Sequence, residues 1–148
     1  MKSSKNKMGT SLIKQRADGN PGVKKNYGDC ATSGINAKLP PLAVWKNTYK
    51  KYEIVIEYPE FNTICPLAGL PDLGTLTIKY VPGKYCVEMK SLKFYFVAYR
   101  NLGIFQENAV NKVLNDFVKY VKPVKAEVSA VFNTRGGMSS VISAKYPR

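Results

Sequence analysis

One cysteine and one aspartate, Cys65 and Asp72, lie seven residues apart in the stretch FNTICPLAGLPDLGT, residues 61 to 75. A thiolate is a strong nucleophile and a neighbouring carboxyl group can move a proton for it, so the pair is suited to covalent attack on an electrophilic carbon. Free cysteine is also among the most buried residue types, and a small apolar core residue is the competing reading of Cys65. Further along, Glu88, Lys90 and Lys93 open a helical pattern. The two lysines are one turn apart on one face and suit phosphate, although a solvated surface explains the same charges. Glu107, after Gly103-Ile-Phe-Gln106, begins a second helical pattern. A carboxylate there favours the helix dipole, and it can equally accept two parallel hydrogen bonds from a guanine-like edge.

The chain contains no histidine. His-based zinc sites, Ser-His-Asp triads and Cys-His dyads are therefore excluded within it, and no metal site is expected. The three cysteines, Cys30, Cys65 and Cys86, are odd in number and lack CxxC spacing, which points to free thiols. A formal charge of +13 on 148 residues calls for an anionic partner: a phosphorylated cofactor, a nucleic acid or a membrane surface. No run of 18 apolar residues and no secretory leader is evident, so a cytoplasmic location is expected.

The elements that must position these residues follow from periodicity. Residues 1 to 40 are rich in Lys, Ser, Asn and Gly without a sustained period, and are expected to be a flexible basic arm. Residues 41 to 148 suffice for one domain. Lys51 to Glu57 alternates with Tyr52, Ile54 and Ile56 on one face, and Thr75 to Val81 with Leu76, Ile78 and Tyr80, so two strands are expected around a long loop. Met89, Leu92, Phe96 and Tyr99 fall at helical spacing over 88–101, and Val110, Val113, Leu114, Phe117, Val118 and Val121 over 107–121. Lys125 to Phe132 and Met138 to Tyr146 read as final strands joined by Asn133-Thr-Arg-Gly-Gly137. The order ββααββ predicts an α+β domain: an antiparallel four-stranded sheet with two helices on one face.

Four segments, FNTICPLAGLPDLGT (61–75), VEMKSLKFY (87–95), YRNLGIFQEN (99–108) and FNTRGG (132–137), together resemble the 7-cyano-7-deazaguanine reductases in their short single-domain form. The resemblance covers about residues 51 to 146. It implies the tunnelling fold, with units associating as a homo-oligomer of barrels, its rings paired face to face into forms such as a decamer, and active sites between subunits. It implies that Cys65 attacks the nitrile of 7-cyano-7-deazaguanine to give a thioimide, that Asp72 supplies a proton, and that two hydrides from NADPH yield the aminomethyl product. It further implies that Val87, Glu88, Met89, Gln106 and Glu107 bind the substrate, with Lys90, Lys93 and Arg135 on the NADPH phosphates. Two positions depart from the family pattern: Met89 stands where Ser or Leu is usual, and Gln106 where histidine is usual. Glutamine can hold a hydrogen bond but does not titrate near neutrality.

Two rival readings remain open: a relative that adds ammonia to the same nitrile within tRNA, and a non-enzymatic basic module that binds RNA through its phosphates. Other tunnelling-fold enzymes, such as GTP cyclohydrolases, commonly use histidine-containing zinc sites, which this chain lacks.

Overall fold

The computed structural model describes residues 26–147. Four long strands form one antiparallel sheet: β2 (Ile54–Ile64), β3 (Pro71–Val81), β5 (Lys125–Arg135) and β6 (Met138–Tyr146), side by side in that order. A small second sheet pairs β1 (Val44–Lys46) with β4 (Tyr85–Val87). Helices α2 (Met89–Tyr99) and α3 (Gln106–Val121) follow β4, and a four-residue helix α1 (Tyr27–Cys30) precedes the whole. The expected order of long elements is thus interrupted by β4 and preceded by α1 and β1. Strands of three residues carry too little pattern to be read from sequence.

Alternation sets the two faces of the sheet. Leu76, Ile78 and Tyr80 of β3 and Ala126, Val128, Ala130 and Phe132 of β5 are buried against Leu92, Tyr95, Phe96 and Tyr99 of α2 and Val110, Val113, Leu114, Phe117 and Val121 of α3. Both long helices therefore cover one face. On the other face Val55, Leu73, Val131 and Val141 remain exposed. The α3 stripe is buried as its period predicts, and the helix ends at Lys122 in the left-handed region, just before Pro123. In α2 the prediction misplaces one residue: Met89 is 58% exposed, and Tyr95 joins the core instead. The Tyr95 hydroxyl donates to Asp116 Oδ2 at 2.7 Å and lies 2.9 Å from the Tyr99 hydroxyl. Burial, first of all, pushes both phenols up from their ordinary range.

Two corrections concern segments next to the candidate site. The long loop expected between the first strands is short: Phe61↔Gly74, Asn62↔Leu73, Thr63↔Asp72 and Ile64↔Pro71 continue the β2–β3 ladder almost to the tip. Proline and glycine obscured these pairs, and Gly74 is required on the other side of β3, toward β5, where a Cβ would lie 2.4 Å from the Val131 carbonyl oxygen. The flexible arm expected over 1–40 lies outside the described residues for 1–25. Residues 26–40 pack on the body: Cys30 is buried, Tyr27 stacks on Phe105 at 6.1 Å, and Asn108 Nδ2 donates to the Ala31 carbonyl at 2.7 Å. Packing thus begins well before residue 41.

Candidate active site

Two β-bulges shape one end of the sheet. In β2 the ladder shifts between Tyr58 and Phe61, three steps against two on β3. The inserted residue reverses the alternation, so Phe61 and Thr63 turn into the core where Ile54, Ile56 and Tyr58 did before it. In β5 the ladder shifts between Phe132 and Arg135, again by one residue. Without that bulge an odd-numbered β5 residue would face away from the helices, like Val131; with it, Arg135 reaches Asp72. Gly136 and Gly137, both at positive φ, close the two-residue turn that follows.

Asp72 is therefore a strand residue on the helix-covered face, in phase with Leu76 and Ile78, its side chain 3% exposed. The Arg135 guanidinium, 46% exposed, pairs with Asp72 Oδ1 from the β5–β6 hairpin. The contact is an ion pair without hydrogen-bond geometry, and Oδ1 has no hydrogen-bond donor.

Cys65 closes the tip between β2 and β3. Its N–H donates to the Leu70 carbonyl at 2.8 Å, and its own carbonyl accepts from Gly69 N–H at 2.8 Å. The thiol is part-buried and free. Because Thr63 is directly opposite Asp72, Cys65 is its diagonal neighbour across the ladder, a separation of about 7–8 Å between Cα atoms. A small electrophile lying between the two would meet both.

The start of α3 is drawn to the same place by backbone bonds. Ile64 N–H donates to the Leu102 carbonyl at 2.9 Å and the Ile64 carbonyl accepts from Ile104 N–H at 3.0 Å, a parallel bridge beside the cysteine. Gln106 and Glu107 follow immediately. Gln106 Oε1 accepts from Ser140 Oγ at 2.7 Å, which leaves the Gln106 amide N–H groups to donate elsewhere. Glu107 is exposed in the first turn of α3, and among the described residues no cation or donor holds its carboxylate. It is free to accept two hydrogen bonds from a planar edge.

The second group of predicted residues is elsewhere. α2 ends beside Ile64, where Leu102 N–H donates to the Tyr99 carbonyl, and its first turn is roughly 15 Å back along the helix axis. Val87, Glu88, Met89 and Lys90 are at that distant end, and Lys93 is one turn nearer. Val87 is buried and its N–H donates to the Tyr80 hydroxyl at 3.2 Å; burial, as the main cause, pushes that phenol up to about 12. Glu88 caps its own helix: its carboxylate accepts from Lys90 N–H and Ser91 N–H, both at 2.7 Å. These two bonds hold its carboxyl below the usual range, so the side chain is committed to the cap. Lys90 and Lys93 are exposed, with no ion-pair partner among the described residues. Two unpaired ammonium groups on one helical face fit phosphate oxygens, as NADPH would present them; the capped backbone N–H groups do not. Lys93 and Met89 border a cavity of about 400 Å³ between α2 and the β2 edge, lined also by Leu92, Phe96 and Val97. Within one chain, then, Cys65, Asp72, Arg135, Gln106 and Glu107 come together, and the α2 group does not join them. Sequence reasoning missed Thr63 and Ser140. Thr63 turns inward only because of the β2 bulge, which no local pattern reveals, and the Ser140 partnership depends on the packing of β6 on α3.

Among the described residues, no group of three metal-binding side chains and no helix long and apolar enough to cross a membrane is found. Comparisons with known proteins agree on one family. The model of the QueF-like proteins matches residues 71–148. A relative from Elusimicrobium minutum, named NADPH-dependent 7-cyano-7-deazaguanine reductase, is 54% identical over 121 residues, covering 81% of this chain and 92% of its own. One of the same name from Chloroherpeton thalassium is 47% identical over 107 residues, covering 71% of this chain and 92% of its own. The fold is similar to that in a crystal structure of an archaeosine synthase QueF-Like in the apo form: the TM-score is 0.61 at 16% identity, over 66% of this chain and 95% of that one. The matched model, and identities that span nine-tenths of those relatives, show that the chain belongs to the QueF-like family, beside the NADPH-dependent 7-cyano-7-deazaguanine reductases.

Proposed function

We propose that this chain reduces the nitrile of 7-cyano-7-deazaguanine to the aminomethyl group, with NADPH as reductant, in the cytoplasm. The observation that carries the chemistry is the buried Asp72 carboxyl one diagonal step from the free thiol of Cys65. In this reading the Asp72 carboxylate takes the proton of the Cys65 thiol, the thiolate bonds to the nitrile carbon, one C–N π pair moves to nitrogen, and nitrogen takes that proton from Asp72, giving a neutral thioimide and restoring the carboxylate that Arg135 pairs. Glu107 accepts the N–H and amino protons of the pyrimidine edge, and the Gln106 amide, oriented by Ser140, donates to the base. NADPH, when bound, supplies the two hydrides that a four-electron reduction of nitrile to amine needs. Lys90, Lys93 and Arg135 hold its phosphates, and Val87, Glu88 and Met89 line the substrate site.

The separation of the α2 group from Cys65 supports a site assembled from two copies. One copy contributes Cys65, Asp72, Gln106 and Glu107, and its neighbour contributes the start of α2. Two unpaired sheet edges, β2 and β6, and the uncovered face bearing Val55, Leu73, Val131 and Val141 support such association into barrels. The test is NADPH oxidation that depends on 7-cyano-7-deazaguanine, with about two NADPH consumed per aminomethyl product. A thioimide that ammonia consumes while NADPH is left untouched would reassign the chain to the ammonia-adding reaction.

A further inference from the structure

Thr63 and Asp72 are the two polar side chains buried in the described core, at 0% and 2% exposure. They are directly opposite each other on neighbouring strands. Each also carries an oxygen without a hydrogen-bond partner, Thr63 Oγ and Asp72 Oδ1. Buried polar atoms are nearly always satisfied, so a hydroxyl with no partner, directly opposite a carboxyl oxygen that has only the Arg135 ion pair, calls for a reason. One is a hydroxyl, which can donate; the other is a carboxyl oxygen, which can accept. Directly opposed residues have Cβ atoms about 4.5–5.5 Å apart, so a turn about the Thr63 side-chain bond brings the pair into hydrogen-bond reach.

We propose that Thr63 is a positioning residue for Asp72, its hydroxyl donating to Oδ1. Arg135 reaches the same oxygen from a glycine turn and is half exposed, whereas Thr63 is fixed within the ladder. With Oδ1 held, the acid's proton is carried on Oδ2 and is delivered on the side of Cys65. A valine would fill the same space with the same β-branched shape, and the hydroxyl is what distinguishes the native residue. This inference rests on the reading of Asp72 as the proton donor to the nitrile.

The test follows thioimide absorbance after mixing the full chain with 7-cyano-7-deazaguanine, together with kcat, KM and Tm. Thr63→Val is expected to slow thioimide formation and kcat by about tenfold, the size of one hydrogen bond, with KM for the base unchanged. Its Tm should fall by no more than a few degrees, about the size of one lost hydrogen bond, because the β-branched shape is kept and Arg135 still pairs with Oδ1. Thr63→Ser should recover most of the rate, and Thr63→Val added to Asp72→Asn should cost little more than Asp72→Asn alone. Wild-type rates in Thr63→Val, failure of Thr63→Ser to recover, or a full additional loss on Asp72→Asn would each overturn the proposal. No thioimide in the wild type would overturn the nitrile reading itself and this inference with it.

Discussion

The two ends of this molecule hold similar sets of residues, carboxylates and cations beside an apolar surface, and are built in opposite ways. At the β2–β3 tip the arrangement is tertiary: two bulges, a parallel bridge at Ile64 and a glycine hairpin bring Cys65, Asp72, Arg135, Gln106 and Glu107 together from four places in the chain. At the start of α2 it is local: Glu88 caps its own helix, and Lys90 and Lys93 extend into solvent. The first end leaves buried oxygens unsatisfied, a cost tolerated where chemistry needs it. The second is an unstrained helix terminus that gains a purpose when phosphate, or a neighbouring copy, meets it.

That contrast is most sharply tested at the tip. Asp72→Asn keeps the shape and removes the proposed proton donor, and it should lower kcat/KM by about 10²–10⁴-fold, measured by NADPH oxidation. A loss of less than about threefold would remove general-acid work from this end. At the other end Lys90→Ala and Lys93→Ala should each raise KM for NADPH by about tenfold while thioimide formation stays at the wild-type rate. If the ends meet between copies, co-refolding Cys65→Ala chains with Lys90→Ala/Lys93→Ala chains should restore activity at about a quarter of the sites. Continued inactivity of the mixture would place both groups in one chain's site.

Smaller effects separate the supporting residues. Ser140→Ala frees the Gln106 amide and should raise KM for 7-cyano-7-deazaguanine by about three- to tenfold with little change in Tm. The least effect is expected from Glu88→Gln, which weakens the α2 cap and should lower Tm by a few degrees, on the order of other cap losses. Because the folded carboxyl of Glu88 is held below its usual value of 4.5, its stabilisation is present above that pH and is lost as pH falls through the folded value. Thermal melts of Glu88→Gln and wild type should therefore differ near neutrality and converge in acid.

What could be read in the sequence follows the same division. The helical stripe of α3, the alternation of β3 and β5 and the Gly136–Gly137 hairpin are local patterns, and the structure has them where the spacing puts them. The helix start at Glu88 is local too. Nothing local told that Phe61–Ile64 and Pro71–Gly74 pair as strands, because Pro71 and Gly74 read locally as breakers and the pairing is set by the β2–β3 ladder rather than by either segment. The two bulges were illegible for the same reason: one inserted residue changes which face Thr63 and Arg135 occupy, and only the ladder reveals the insertion. Cys65 and Asp72 were recognised by type and spacing, while the Arg135 contact with Asp72, the Ser140 contact with Gln106 and the inward place of Thr63 are defined by packing.

The central claim is that the tip carries the covalent chemistry, and Cys65 tests it most directly. Wild-type protein incubated with 7-cyano-7-deazaguanine without NADPH, then digested and mapped by mass spectrometry, should carry one intact base on the peptide containing Cys65. Cys30→Ala and Cys86→Ala should keep the adduct, and Cys65→Ala should lose it together with turnover. An adduct on Cys30 or Cys86, or turnover that survives Cys65→Ala, would contradict the account.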